Sequence, residues 1–332
     1  MPVMMLSLLM AACIHTYPDV EEGEQNPTLS KVRLALDYGY EWDRQQHDDD
    51  ATRASGDPTH RAIVRISKPG SASVTELRHL SVSRKRVESI DKPLEFTLAP
   101  GDYTVFVWSD RISKDFQAIG YDASDLSDIK SVFEHGDVRN EYDCLSYVGN
   151  IAIDPIRDGD SIVVPVGLRP AIGKFSLVPS DYQDFIDYNR EALRRGERFY
   201  VEISYESPVA GSYNLIEGVL MDPKDGMRFS REIEYITIPG LEYELASDIL
   251  FAVDTPVKYT VTVKVLNSAK AIVSQRTGIT FPVVEGKTTT VRGRFLTDFI
   301  NGGITVDPIW GDSIVIDLDN SNNLTNPKYE FN

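Results

Sequence analysis

The segment Lys31-Val-Arg-Leu-Ala-Leu-Asp-Tyr-Gly-Tyr-Glu-Trp42 alternates between two kinds of side chain. Its even positions are apolar or aromatic, and its odd positions are charged or small. Successive side chains of a β-strand point to opposite faces, so this period of two predicts a half-buried strand over residues 31–42. The predicted core face of this strand consists of Val32, Leu34, Leu36, Tyr38, Tyr40 and Trp42.

Shorter apolar runs recur along the rest of the chain, with turn residues between them. This spacing is typical of all-β sandwiches. The further predicted strands cover 62–67, 95–98, 103–108, 151–153, 161–166, 173–178, 200–205, 213–220, 232–238, 259–266, 271–275, 288–295 and 313–318. Two crossover helices are predicted over 124–133 and 180–195, and the second opens with a capping box of Ser180 and Gln183.

Two short sequence matches predict an internal repeat. Residues 151–166 match 304–318 with one residue deleted, and 102–107 match 258–263 in the same order. Chance similarity between short strands is the alternative. A chain of 332 residues is long enough for two cores of roughly 150 residues each. We therefore expect an N-terminal β-sandwich over 31–168, a C-terminal one over 169–318, and a polar tail over 319–332.

The N-terminus carries a ten-residue uncharged apolar run, 3–12, which is too short to span a bilayer but suits a signal peptide. Met10-Ala-Ala-Cys13 looks like a bacterial lipobox, although methionine replaces the usual leucine and no basic residue precedes the run. We predict a signal peptide over 1–12, lipidation of Cys13 and a flexible tether over 13–30. The alternative is an apolar start without a targeting role.

The composition excludes several functions. With 34 basic and 51 acidic residues the formal charge is −17, which opposes nucleic-acid binding. The second of the two cysteines, Cys144, is expected to be a small core residue, and no disulfide framework is available. The five histidines have no metal-binding spacing. We predict no catalytic residue, no metal site and no cofactor.

Three other features have a functional and a structural interpretation. Gly159-Asp-Ser and Gly311-Asp-Ser superficially match a lipase motif, but their occurrence in two matching segments favours a structural role. Asp48-Asp-Asp50 lacks the alternating oxygen ligands of a calcium loop, so a solvated charge run is expected. Trp42, Trp108 and Trp310 could stack on sugars, but their apolar surroundings favour core packing.

Five segments, in this order, make the chain resemble the fimbrillin-like surface lipoproteins of Bacteroidales, a family that includes minor-fimbrium anchors. They are Gly101-Asp-Tyr-Thr-Val-Phe-Val-Trp-Ser-Asp110, Tyr121-Asp-Ala-Ser-Asp-Leu126, Leu168-Arg-Pro-Ala-Ile-Gly-Lys-Phe175, Val291-Arg-Gly-Arg-Phe-Leu-Thr297 and Gly302-Gly-Ile-Thr-Val-Asp-Pro-Ile-Trp310. The resemblance implies two tandem transthyretin-like sandwiches and assembly by exchange of a strand between subunits. It also implies that stalk subunits lose their first strand to an Arg-specific protease, and Arg44 and Arg53 are candidate cut sites.

We therefore expect a non-enzymatic subunit of a cell-surface fimbria. The tail over 319–332 has no alternating run that could serve as a donor strand, and a retained first strand favours an anchor over a tip or stalk. The expected partners are other fimbrial subunits, the outer membrane through palmitate at Cys13, and a host or bacterial surface ligand. The alternative is a glycan- or protein-binding adhesin on the same scaffold.

Overall fold

The computed structural model describes residues 29–37, 59–70, 74–82, 94–113, 117–139, 142–154, 161–236, 242–297, 299–300, 304–305 and 314–318. Strands dominate this part of the chain, as the sequence predicts. In chain order the elements are β1 Ser30–Asp37, β2 Thr59–Ser67, β3 Val74–Val82, β4 Leu94–Leu98, β5 Gly101–Ile112, β6 Tyr121–Asp122, β7 Ile129–Ser131, β8 Leu145–Ile153, β9 Ser161–Gly167, β10 Arg169–Pro170, β11 Ile172–Pro179, α1 Tyr182–Tyr188, α2 Arg190–Arg194, β12 Phe199–Tyr205, β13 Val209–Asn214, β14 Val219–Lys224, β15 Arg228–Glu232, β16 Ala246–Phe251, β17 Val257–Asn267, β18 Ile272–Val283, β19 Thr288–Gly293, β20 Phe299–Ile300, β21 Ile304–Thr305 and β22 Ile314–Asp317.

These strands build two β-sandwiches, which confirms the predicted fold class. The first sandwich packs the sheet β4-β1-β9 on the sheet β10-β8-β5-β2-β3. The second packs β16-β11-β19-β22 on β15-β12-β17-β18-β20, and β21 also pairs with β18. In each sandwich the inward side chains of both sheets form one apolar cluster.

The two sandwiches repeat one topology of seven strands. In the first, β1 pairs antiparallel with β4 and parallel with β9. In the second, β11 pairs antiparallel with β16 and parallel with β19. The other sheets agree as well, since β2 with β3, β5 with β8 and β2 with β5 match β12 with β15, β17 with β18 and β12 with β17. Strand β9 of the first sandwich therefore corresponds to β19 of the second.

This topology separates the two sequence matches. Residues 102–107 and 258–263 lie on the corresponding strands β5 and β17, where Tyr103 and Tyr259 are both buried. The other match is not a structural repeat. It aligns β9, which lies beside β1, with β22, which lies beside β19. Asp307, which should have matched Asp154, lies outside the described residues.

The predicted helix over 124–133 is wrong. Residues 124–128 form turns, and 129–131 form the strand β7. The carboxylates of Asp122 and Asp125 each accept a hydrogen bond from the backbone N–H two residues later, at Ser124 and Ser127. Such local bonds give the backbone an alternative to the helix.

The second predicted helix is present but divided into α1 and α2 at Asn189. Its first residue follows Asp181, and no side-chain capping bond forms, so the capping box of Ser180 and Gln183 is wrong. Phe185 and Ile186 pack on the core of the second sandwich.

Two predicted strands are also wrong in part. Residues 213–220 contain a turn between β13 and β14, where the side chain of Asn214 accepts a hydrogen bond from the N–H of Glu217. Residues 233–236, expected within a strand over 232–238, are irregular. Their N–H groups at Glu234 and Ile236 donate to the hydroxyls of Tyr243 and Tyr182 instead of to a neighbouring strand.

Insertions from the two sandwiches meet at a third apolar cluster. β6 and β7 are inserted between β5 and β8, and the hairpin β13–β14 is inserted between β12 and β15. They pair as one sheet, β14-β13-β7-β6, which we call the bridging sheet. Trp108, Tyr121 and Phe251 are buried beneath it, together with residues of both sandwiches. Trp108 is fully buried, as core packing predicts.

Candidate functional site

The candidate site is the strand β1 with its two neighbours. Leu34 lies opposite Leu94 on β4 and opposite Val164 on β9. Val32 and Leu34 are almost fully buried, and Leu36 packs half-buried against the same core. The hydroxyl of Ser30 donates to the carbonyl of Asp154 at 3.1 Å. The strand is thus the middle of its sheet, held by a ladder on each side.

The outer edge of β9 is not paired by any strand in the described part of the chain. The N–H of Leu168 donates to the carbonyl of Asp37 on β1. Because peptide groups alternate in direction along a strand, the nitrogen of Pro165 faces the other, outer edge, where it offers no hydrogen. Ile162 and Val164 point inward and are only half-buried. We call the outer edge of β9, together with the outer edge of β8 beyond its two-residue pairing with β10, the open side of the first sandwich.

The corresponding side of the second sandwich is closed by later residues of the chain. β22 adds to β19, and β20 and β21 add to β18, all in parallel. Ile316 and Leu318 are buried in the core of this sandwich, each with 3% exposure. Thr289 and Val291 on β19 are fully buried, whereas on β9 Val166 is fully buried but Ile162 and Val164 are not.

Asp181 holds the chain where it leaves β19 towards these closing strands. Its carboxylate is 1% exposed. It accepts hydrogen bonds from the N–H groups of Phe295, Leu296 and Thr297 at 3.1, 3.0 and 2.8 Å, and from the Thr297 hydroxyl at 2.7 Å. A carboxylate with this many donors fixes the direction in which the chain leaves the sheet.

A second buried carboxylate, Asp248 on β16, lies at the junction of the two sandwiches. It accepts bonds from His135 Nδ1 and the Tyr205 hydroxyl, both at 2.7 Å. It also accepts bonds from the N–H groups of Gly136 and Ile249, at 3.0 and 2.9 Å. Asp248 is fully buried, whereas the side chain of His135 is 19% exposed.

The first sandwich has its own buried ion pair. Arg61 makes a bidentate contact with Asp110, at 2.8 and 2.5 Å, and also donates to the carbonyl of Tyr121. Burial raises the pKa of Asp110 and outweighs the opposite effect of the guanidinium. Burial also raises the pKa of the Cys144 thiol, so this group is an unreactive core residue.

Several predicted site residues lie outside the described residues. These are Cys13, Arg44, Arg53, Tyr38, Tyr40 and Trp42, together with Trp310. Lipidation, cleavage and the outer half of the predicted first strand therefore stay predictions. Of the described core face, Val32, Leu34 and Leu36 lie on one side of β1.

Two searches of the described residues give negative findings. No group of three or more His, Cys, Asp or Glu side chains there has a geometry that could hold a metal ion. No helix there is long and apolar enough to cross a membrane.

Sequence reasoning missed Asp181, Asp248 and His135. Asp181 precedes α1 but does not cap it, and it binds N–H groups of residues 295–297, so its position before the helix gives no signal for this role. The contact of His135 with Asp248 joins residues 113 positions apart, and no local pattern marks it.

The fold and the site define a protein of two linked β-sandwiches, one closed by its own chain and one with an open side. Residues 27–327 match the model of a family described as "Family of unknown function (DUF6562)", and the chain belongs to this family. A search of curated proteins finds no match.

Solved structures with a loosely similar fold come from species of Porphyromonas, Parabacteroides and Bacteroides. The fimbrial anchor protein Mfa2 from Porphyromonas gingivalis is 10% identical, with a TM-score of 0.37, and the match covers 76% of this chain and 82% of that one. A fimbrial assembly protein from Parabacteroides distasonis is 10% identical, with a TM-score of 0.37 and coverages of 80% and 91%. A candidate polysaccharide-binding protein from Bacteroides thetaiotaomicron is 14% identical, with a TM-score of 0.43 and coverages of 75% and 80%. Likeness at this level carries no function over to this chain.

Proposed function

We propose that this chain is a non-enzymatic structural subunit of a cell-surface fimbria, lipid-anchored at Cys13 in the outer membrane, and that it occupies the anchor position. The observation that carries the proposal is the contrast between the open side of the first sandwich and the closed side of the second. The five ordered segments that resemble fimbrillin-like proteins support it as well. We propose that its domains are 31–168 and 169–318, with β10, Arg169–Pro170, at the boundary and paired with β8 of the first sandwich.

The open side suits assembly by strand complementation. Unpaired strand edges attract other chains, and proteins normally cover or blunt them. A neighbouring subunit that lays an extended segment on β9 would pair its backbone and cover Ile162 and Val164. Pro165 limits the outer edge to a short ladder, which restricts the register that such a segment can take.

Retention of β1 favours the anchor. Val32 and Leu34 together contribute about 3–6 kcal/mol of apolar burial as an upper value. The strand also carries backbone ladders to both β4 and β9. Removing it would leave β4 and β9 without the strand between them.

The buried carboxylates support a structural role. Asp181, Asp248 and Asp110 bind backbone N–H groups or side chains of other elements. Each therefore joins parts of the fold, and none is presented to a bound molecule in this arrangement.

The decisive experiment is the N-terminus of protein isolated from the cell surface, compared between the natural chain and a double variant, Arg44→Ala with Arg53→Ala. We expect both to begin at an acylated Cys13, because the anchor keeps β1. A natural chain that begins after Arg44 or Arg53, and a variant that does not, would contradict the anchor position. Cys13→Ser is the control for lipidation and should abolish labelling with palmitate.

A further inference from the structure

His135 connects the two sandwiches through a carboxylate that both of them share. It lies on the inserted segment 117–139 of the first sandwich, which also carries β6 and β7. Asp248 accepts four hydrogen bonds, two from this segment and two from its own sandwich. The donors from the segment are the imidazole of His135 and the N–H of Gly136.

The backbone at Gly136 is fitted closely to the second sandwich. Its φ is +81°, which a side chain would strain, and a Cβ there would lie 2.2 Å from the ring of Phe229 on β15. Only glycine allows this approach. The segment is therefore built to place the His135 ring over Asp248.

Within the described part of the chain, Asp248 is the charged group that acts on the ring of His135. Burial by itself would lower the pKa of His135, but the hydrogen bond and charge of Asp248 outweigh burial and raise it above 6.5. From β12, the ring of Tyr205 faces His135 at 5.9 Å. Its pKa is raised well above 10 by burial and by Asp248, so it stays neutral. Tyr259, behind Tyr205, has a pKa raised to about 12, mainly by burial.

Other contacts also hold the inserted segment. Arg61 donates to the carbonyl of Tyr121, and the ring of Tyr121 packs against Phe251 of the second sandwich. β7 pairs with β13 at two positions, Lys130 with Ser212 and Ile129 with Tyr213. The N–H of Leu215 donates to the carbonyl of Leu126. Ile129 and Leu126 add their apolar side chains to the shared cluster. The contact of His135 with Asp248 is therefore one of several that hold the segment, and its charge depends on the proton of the imidazole.

We propose that His135 is a proton-dependent latch between the sandwiches: its charged imidazole holds the segment 117–139 on Asp248, and loss of the proton loosens that segment while both sandwiches stay folded. In the docked state the segment 117–139 lies on Asp248, and there His135 binds its proton more tightly. The protonated ring therefore stabilises the docked state fully at low pH. The stabilisation is lost as the pH rises through the docked pKa. The device acts near neutral pH, where histidine titrates.

The test measures hydrogen exchange of the segment 117–139 in the full chain between about pH 5.5 and 8.5, with protection corrected for the intrinsic rise in exchange rate. NMR of the His135 ring gives its pKa in the same samples. Protection should fall with rising pH, by about tenfold for each unit by which the docked pKa exceeds that of free histidine. The strands of both sandwich cores should show no such fall.

The key variant is His135→Asn, which keeps a neutral donor near the position of Nδ1 and cannot carry a proton. It should have low protection at every pH in the range. His47→Asn makes the same chemical change elsewhere and should behave like the natural chain. An equal fall in His135→Asn, a flat profile in the natural chain, or a pKa of His135 at or below that of free histidine would each overturn the latch.

Discussion

The first sandwich and the second share seven strands in the same order. The corresponding edge is open in the first and covered by additional strands in the second. In the second, residues after β19 return to cover β18 and β19, and Val291 is fully buried. In the first, the chain leaves β9 for the next sandwich, and Val164 stays half-buried. The difference shows that closure is not a property of the seven-strand unit. It has to be supplied by additional chain.

The largest expected effect comes from removing β1. A chain that begins at Tyr38 loses Val32 and Leu34 from the core and both ladders in the middle of the sheet β4-β1-β9. We expect the first sandwich to unfold and the second to persist. Limited proteolysis should then cleave sites in the first sandwich rapidly and sites in the second slowly. The control begins at Leu29 and should resist proteolysis throughout.

Truncation after Thr297 makes the comparison sharper. It also removes two buried side chains, Ile316 and Leu318, worth about 3–6 kcal/mol, but β22 pairs on one side only. The second sandwich should therefore stay folded at a lower Tm. Complete unfolding of this sandwich would mean that the closing strands are as essential as β1.

Loss of the carboxylate at Asp181 should be the next largest effect. Asp181→Ala leaves buried N–H groups at Phe295 and Leu296 without their acceptor, so we expect a loss of about 3 kcal/mol in the free energy of unfolding. Hydrogen exchange should rise first in β22, because the chain that leads to it is no longer fixed. Asp184→Ala, on the exposed side of α1, is the control and should change stability little.

Two valines at corresponding positions compare the open and closed sides directly. Val291 lies in register with Leu177, as Val164 lies with Leu34. Val291→Ala should cost about 2–3 kcal/mol in denaturant unfolding, and Val164→Ala about 1 kcal/mol, since only the former creates a fully enclosed cavity. Equal losses would show that the first sandwich is covered at β9 after all.

The smallest effect on stability is expected at two outward valines. Val163 on β9 and Val315 on β22 are 55% and 58% exposed. Lysine at either position should change the free energy of unfolding by less than about 0.5 kcal/mol. If β9 receives a strand from another subunit, only Val163→Lys should reduce incorporation into surface fimbriae. Equal incorporation of the two variants would remove β9 from the assembly contact.

The sequence was sufficient for the sandwich fold because alternation of apolar residues is a local signal. β1, β12 and β19 all show this alternation in their burial. It failed at the inserted segment, where Asp122 and Asp125 divert the backbone from a helix whose apolar spacing was correct. An unused signal was the unbroken apolar run Val105-Phe-Val-Trp108, because a strand without polar positions is covered on both faces.

The candidate site was predictable only in part. The inward face of β1 could be read from its period of two. The open side could not, because it depends on which strand a distant segment pairs with, and the match between 161–166 and 313–318 pointed to the wrong correspondence. Shared burial of Asp248 likewise depends on the docking of two sandwiches and leaves no trace in local sequence.

The bridging sheet limits how this architecture can change in evolution. Its strands are inserted at different points of the shared topology, after β5 in the first sandwich and after β12 in the second. In arrays built from one repeated unit, each copy can pack on the next and the array can lengthen. Here a third copy of either sandwich would carry an insertion with no complementary hairpin beside it. Duplication of either sandwich alone would therefore not extend this pair into a longer array.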